Sequence, residues 1–69
     1  MSARLPVLSG TNLIKILVQK GFIIRRQSGS HVVMQKNERV FAVPLHSELK
    51  KGTLKAILKQ AGLNAEDLK

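Results

Sequence analysis

Apolar residues recur along this chain at two spacings, and the spacing changes twice. In LSGTNLIKILVQKGF, residues 8–22, Leu13, Ile14, Leu17 and Val18 take the i, i+1, i+4, i+5 positions of one helical face. Ser9 stands where an N-cap belongs, and Gly21 suits a left-handed C-terminal cap. The middle of the chain then changes period. FIIRRQ, HVVMQK and RVFAVP are short, rich in Val, Ile and Phe, and separated by SGS and NE, which predicts three strands of an antiparallel meander. Gly29 offers the positive φ of a tight turn, and Pro44, which has no N–H for a ladder, should end the third strand. In KKGTLKAILKQAGL the helical period returns through Leu54, Ile57, Leu58 and Ala61. Gly62 and Leu63 read as a Schellman stop, and Asn64 is placed to cap one further turn, AEDL, with Asp67 three residues on.

The predicted order is therefore α-β-β-β-α. Both amphipathic helices must bury their stripes, which gives a two-layer α+β domain: a three-stranded antiparallel sheet with two helices on one face. Sixty-nine residues make a single domain, 1–69, with residues 1–8 expected to form a mobile leader. A chain of about 60 residues buries only roughly 60% of its unfolded surface, so there is no room for a cofactor domain or a deep substrate cavity. The absence of cysteine removes disulfides, thiolate metal sites and cysteine nucleophiles, and fits a reducing compartment. No apolar run approaches the length of a membrane span, and MSARLPVLSG lacks the apolar core of a signal peptide. The expectation is a cytoplasmic protein with no membrane partner and no cofactor.

Charge narrows the function. Twelve Lys and Arg against four Asp and Glu give a net charge of +8, which points to a polyanionic partner. The only aromatic residues are Phe22 and Phe41, both needed for a core. Single-strand binders that stack bases need exposed aromatic platforms, so a nucleic acid would be read here by backbone, groove shape or 2′-hydroxyls. Lys51, Lys55 and Lys59 form a stripe at i, i+4, i+8, where like charges cost roughly 0.2–0.5 kcal/mol per pair. Lys50 and Lys51 also stand at a helix start, where the macrodipole favours anions. A phosphate would relieve both, drawn by the lysines and by free N–H groups at Gly52 and Thr53. The plainer reading is a solvated lysine face.

The stretch RRQSGSHVV gathers the rest of the chemistry: Arg25 and Arg26, the turn residues Ser28, Gly29 and Ser30, and His31. The arginines favour a neutral imidazole, because a like charge disfavours protonation. A neutral imidazole suits removal of a ribose 2′-hydroxyl proton, after which the 2′-oxygen attacks the adjacent phosphorus and expels the 5′-oxygen. Arg25 or Arg26 would hold the non-bridging phosphate oxygens. The general acid is open: His46, a lysine, or His31 itself after turnover. His46, in VPLHSELKKG, reads first as a residue that fixes its loop by hydrogen bonding, and second as a site residue. The four acids, Glu38, Glu48, Glu66 and Asp67, are scattered, so no metal site is expected.

These residues match a known family. The SGTNLIKIL helix ending in KGF, the SGSH segment, and VPLH followed by KKGTLKAILKQAGL closely resemble the HicA toxin family, over about Leu8 to Leu68. The resemblance implies a double-stranded-RNA-binding-domain-like fold and a metal-free mRNA interferase of a type II toxin–antitoxin pair. It puts His31 at the family's catalytic histidine and implies a HicB-type antitoxin that covers the active face. Lys50 and Lys51 stand where double-stranded-RNA-binding domains place phosphate-contacting lysines. Where the family often carries a second His or an aromatic after the catalytic one, this chain has Val32. Two other readings compete: a non-catalytic RNA-binding module of the same fold, and a small basic protein whose charge answers only an acidic partner.

Overall fold

A computed structural model describes residues 5–68. Its elements are helix α1 (Gly10–Gln19), strands β1 (Ile23–Ser28), β2 (His31–Lys36) and β3 (Arg39–Pro44), helix α2 (Lys51–Ala61) and a short 3-10 turn, Ala65–Leu68. The sheet is antiparallel in the order β1-β2-β3. This is the expected α-β-β-β-α arrangement.

Each boundary has a local cause. Ser9 caps α1, its hydroxyl accepting from the Asn12 N–H at 3.1 Å. Gly21, at φ 96°, turns the chain out of the helix while the Phe22 N–H bonds the Leu17 carbonyl at 3.0 Å. Gly62, at φ 73°, repeats this at the end of α2, with the Leu63 N–H on the Leu58 carbonyl at 2.9 Å. Asn64 and Asp67 then exchange bonds: the Asn64 side-chain oxygen accepts from the Glu66 and Asp67 N–H groups, and the Asp67 carboxylate accepts from the Asn64 N–H.

The helices lie on one face of the sheet. Leu13 and Leu17 of α1, Leu54, Ile57 and Leu58 of α2, Val32 and Met34 of β2, and Phe41 and Val43 of β3 form one core. Phe22 meets Phe41 edge to face with centroids 5.4 Å apart. Val18 is the exception to the expected α1 face: it is 48% exposed, while Ile16 packs partly against the core. Of the expected leader, residues 1–4 lie outside the described residues. Leu5 and Leu8 pack against the core, and the Leu8 carbonyl accepts from the Leu49 N–H at 2.8 Å, so this part is held.

The two ends of the domain differ. At one end, cations from the β2–β3 hairpin close the helix C-termini: the Lys36 ammonium donates to the Lys20 carbonyl at 2.7 Å, and Arg39 donates to the Gln60 carbonyl at 2.9 Å. Cations there also suit the negative ends of the macrodipoles. At the other end lie both helix N-termini, the β1–β2 turn and the loop from β3 to α2. Three backbone bonds tie them together: Gly10 N–H to His46 O at 2.9 Å, Leu45 N–H to Ser30 O at 2.7 Å, and the Leu49–Leu8 bond.

Candidate nucleic-acid interface and active site

His31 is the first residue of β2, exposed, and paired with Ser28 on β1 and Pro44 on β3. Because side chains alternate along a strand, His31, Val33 and Gln35 face away from the helices, while Val32 and Met34 face the core. Gly29, at φ 57°, takes the first central position of the two-residue turn before His31, the place where a type II′ hairpin wants glycine. No atom lies within 4 Å of where a Gly29 side chain would begin, so the turn is open to solvent.

The arginines are separated by a bulge. Ile24 pairs with Met34, and the next pair is Arg26 with Val33, so Arg25 is the extra residue. In an unbroken ladder Arg25 would oppose Val33, and Arg26 would oppose Val32 on the core side. The bulge moves Arg26 to Val33's side instead, which is the face of His31. Arg26, Ser28 and His31 therefore share the helix-free face. Arg26 and His31 are diagonal neighbours across the β1–β2 ladder, a relation that spans about 7–8 Å between Cα atoms. By sequence the two arginines are equivalent; the register distinguishes them.

Lys50 and Lys51 are exposed at the start of α2, on the same end of the domain. Lys50 provides no side-chain cap, and the first helical bond is from the Leu54 N–H to the Lys50 carbonyl at 2.9 Å. Among the described residues, the N–H groups of Lys51, Gly52 and Thr53 thus have no protein acceptor. An uncapped helix start with two lysines is a ready anion site in chemical terms. Lys55 stands a turn further along α2, beside a shallow groove that it lines with Lys59, Leu58 and Leu63. No observed contact joins it to His31.

His46 does hold its loop by a hydrogen bond, but through the backbone. The loop is fixed through its backbone carbonyl, which accepts from Gly10, and the imidazole makes no hydrogen bond or ion pair among the described residues. Sequence reasoning also missed Gly10. A β-carbon there would strike the Pro44 carbonyl oxygen and come within 3.0 Å of the Leu45 Cα, so glycine is what lets α1 begin against the end of β3. Its position just inside a capped helix gave no sign of this long-range contact.

The HicA toxin family model, described as the HicA toxin of bacterial toxin–antitoxin systems, matches residues 10–63, from the first residue of α1 to just past the end of α2. The chain belongs to the HicA toxin family. Comparisons with curated proteins and with solved structures returned no match. Membership makes this HicA-family chain a toxin of a toxin–antitoxin system, within a family of ribonuclease-type toxins. No helix among the described residues is long and apolar enough to cross a membrane.

Proposed function

We propose that this HicA-family chain is an mRNA-cleaving endoribonuclease with His31 as its general base. The observation that carries this reading is the shared, helix-free face of His31 and Arg26 beside the uncapped start of α2. RNA would lie across the β1–β2 turn, where Ser28, Gly29 and Ser30 let the backbone approach closely. Arg26, with Arg25 beside it on the bulge, holds the non-bridging oxygens of the reacting phosphate through charge-assisted bonds. Lys50, Lys51 and the free N–H groups of α2 hold a neighbouring phosphate, and Lys55 extends this basic track. His31 takes the 2′-hydroxyl proton, the 2′-oxygen attacks phosphorus, and the 5′-oxygen leaves. The reaction needs no metal, and among the described residues no three His, Cys, Asp or Glu side chains cluster as a metal site requires.

A HicB-type antitoxin, acting in the cytoplasm, restrains the toxin by covering this face. The face offers it apolar surface as well as charge: Ile23 is 60% exposed and Val40 43%, and both flank Gln35 in the ladder.

The test is RNA cleavage by purified wild type and His31→Ala, matched for folding by circular dichroism. The variant should lose about 10²–10⁴-fold in rate, the usual worth of a general base, and should still bind RNA. Equal cleavage by both would remove His31 from the chemistry. Binding without cleavage by either would favour the RNA-binding module. In cells, wild type produced without antitoxin should arrest growth, and His31→Ala should not.

A further inference from the structure

We propose that His46 is the general acid that protonates the leaving 5′-oxygen, an assignment that rests on the ribonuclease reading above. Pairing of β2 and β3 does not stop at Pro44. The Leu45 N–H donates to the Ser30 carbonyl at 2.7 Å, so Ser30 and Leu45 form a hydrogen-bonded position. The preceding pair, His31 with Pro44, is then a non-hydrogen-bonded one, where opposed side chains stand closest and where proline costs no ladder bond. His46 is two residues beyond Pro44. It therefore occupies the diagonal position to His31, at about 7–8 Å between Cα atoms. Leu45 packs against the core, so alternation from it places the exposed His46 on His31's side of the ladder.

Two further features separate His46 from a structural histidine. Its backbone is clamped, because the carbonyl accepts from the first N–H of α1 at 2.9 Å and Gly10 leaves no slack at that contact. Its side chain is unused: exposed, and without a hydrogen bond or ion pair among the described residues. A fixed mount with a free imidazole is what a proton donor requires, and the fold gains nothing from the ring. The other donors at this end are the ammonium groups of Lys50 and Lys51. Neither lysine is near the pair in the chain, whereas His46 is two residues from Pro44, the residue opposite His31.

The step balances. His31 takes the 2′-hydroxyl proton as the O2′–P bond forms. The P–O5′ bond breaks, and the His46 imidazolium gives its proton to the departing oxygen. The products are a 2′,3′-cyclic phosphate and a 5′-hydroxyl, and exchange with water returns the two rings to their starting states. Both imidazoles are exposed at this end of the domain, open to one RNA strand.

The experiment compares two RNA oligonucleotides that differ by one atom, the 5′-oxygen of the cleaved linkage being replaced in the second by sulfur. A thiolate leaves without a proton. On the oxygen substrate, His46→Ala should lose roughly 10²–10⁴-fold in rate. On the sulfur substrate it should cleave within a few-fold of wild type, whereas His31→Ala should be defective on both. His46→Gln is run in parallel, so that misfolding of one variant does not decide the result. Equal losses on both substrates, or no loss on either, overturn the acid assignment and leave His31 standing. Failure of wild type to cleave, or full activity of His31→Ala, overturns the ribonuclease reading and the His46 role with it.

Discussion

Gly10→Ala isolates the contact that holds the proposed site together. The added methyl would meet the Pro44 carbonyl oxygen and the Leu45 Cα, both backbone atoms that no rotamer change can move aside. Either α1 shifts outward or the end of β3 yields, and in both cases the Gly10 N–H to His46 carbonyl bond at 2.9 Å is stretched. Overpacking of this kind costs about 1–3 kcal/mol. Against it stands a gain of about 0.4–1 kcal/mol, because alanine restricts the unfolded chain. The clash wins, since every atom it meets is backbone at the end of β3. A net loss of about 1–2 kcal/mol, at roughly 4–8 °C per kcal/mol for a domain of this size, should lower melting by about 4–16 °C. Gly52→Ala is the control. It too lies in the first turn of a helix, but no atom stands within 4 Å of its β-position. That variant should melt at or slightly above the wild-type temperature. The assay is thermal unfolding followed by far-ultraviolet circular dichroism, and a Gly10→Ala chain as stable as wild type would refute the packing argument.

Three other outcomes follow from the same structure. Met34 is fully buried between the sheet and the helices, so Met34→Ala should cost about 2–5 kcal/mol, read as a lower urea midpoint, and can unfold so small a domain. Ser9→Ala removes the cap bond to Asn12 and should cost about 1 kcal/mol by the same measurement. Replacing Lys50 and Lys51 together by alanine should flatten the salt dependence of single-stranded RNA affinity by about 1.4 in the log–log slope, if each neutralises one phosphate. An unchanged slope would show that the α2 start does not touch RNA.

The elements were legible because their signals are local. The β2 and β3 bounds, the glycine stops after both helices and the Asn64–Asp67 exchange each follow from residues a few positions apart. What escaped the sequence is long-range. IIRRQS carries no glycine to mark a bulge, so the re-aiming of Arg26 onto His31's face shows only in the pairing register. Ile23 and Ile24 look like core residues. Ile23, opposite Gln35, is 60% exposed because it faces away from the helices, and Ile24, opposite Met34, is 56% exposed because the helices leave the edge strand β1 largely uncovered. Lys36 and Arg39 look like two more cations for a polyanion, yet both reach across to close helix ends at the far side from His31. His46 was expected to fix its loop by hydrogen bonding, and it does so through its carbonyl, which the sequence could not distinguish from the ring.

The division of charge bears on function. With Lys36 and Arg39 engaged at the hairpin end, and Lys20 facing Asp67 at 4.0 Å, Arg25, Arg26, Lys50 and Lys51 make no ion pair among the described residues. The last three gather at the end, or on the face, that carries His31. Both helices also point their positive ends there. Field and register thus converge on one place, although the acids that would mark a metal-dependent nuclease do not.

Cleavage of an RNA oligonucleotide carrying a single 2′-deoxynucleotide at the scissile step tests the central claim most directly. Wild-type protein should cut the all-ribose strand to a 2′,3′-cyclic phosphate and a 5′-hydroxyl, and should leave the deoxy-substituted step intact. Cleavage that persists at the 2′-deoxy position would contradict a reaction begun by His31 on the ribose hydroxyl.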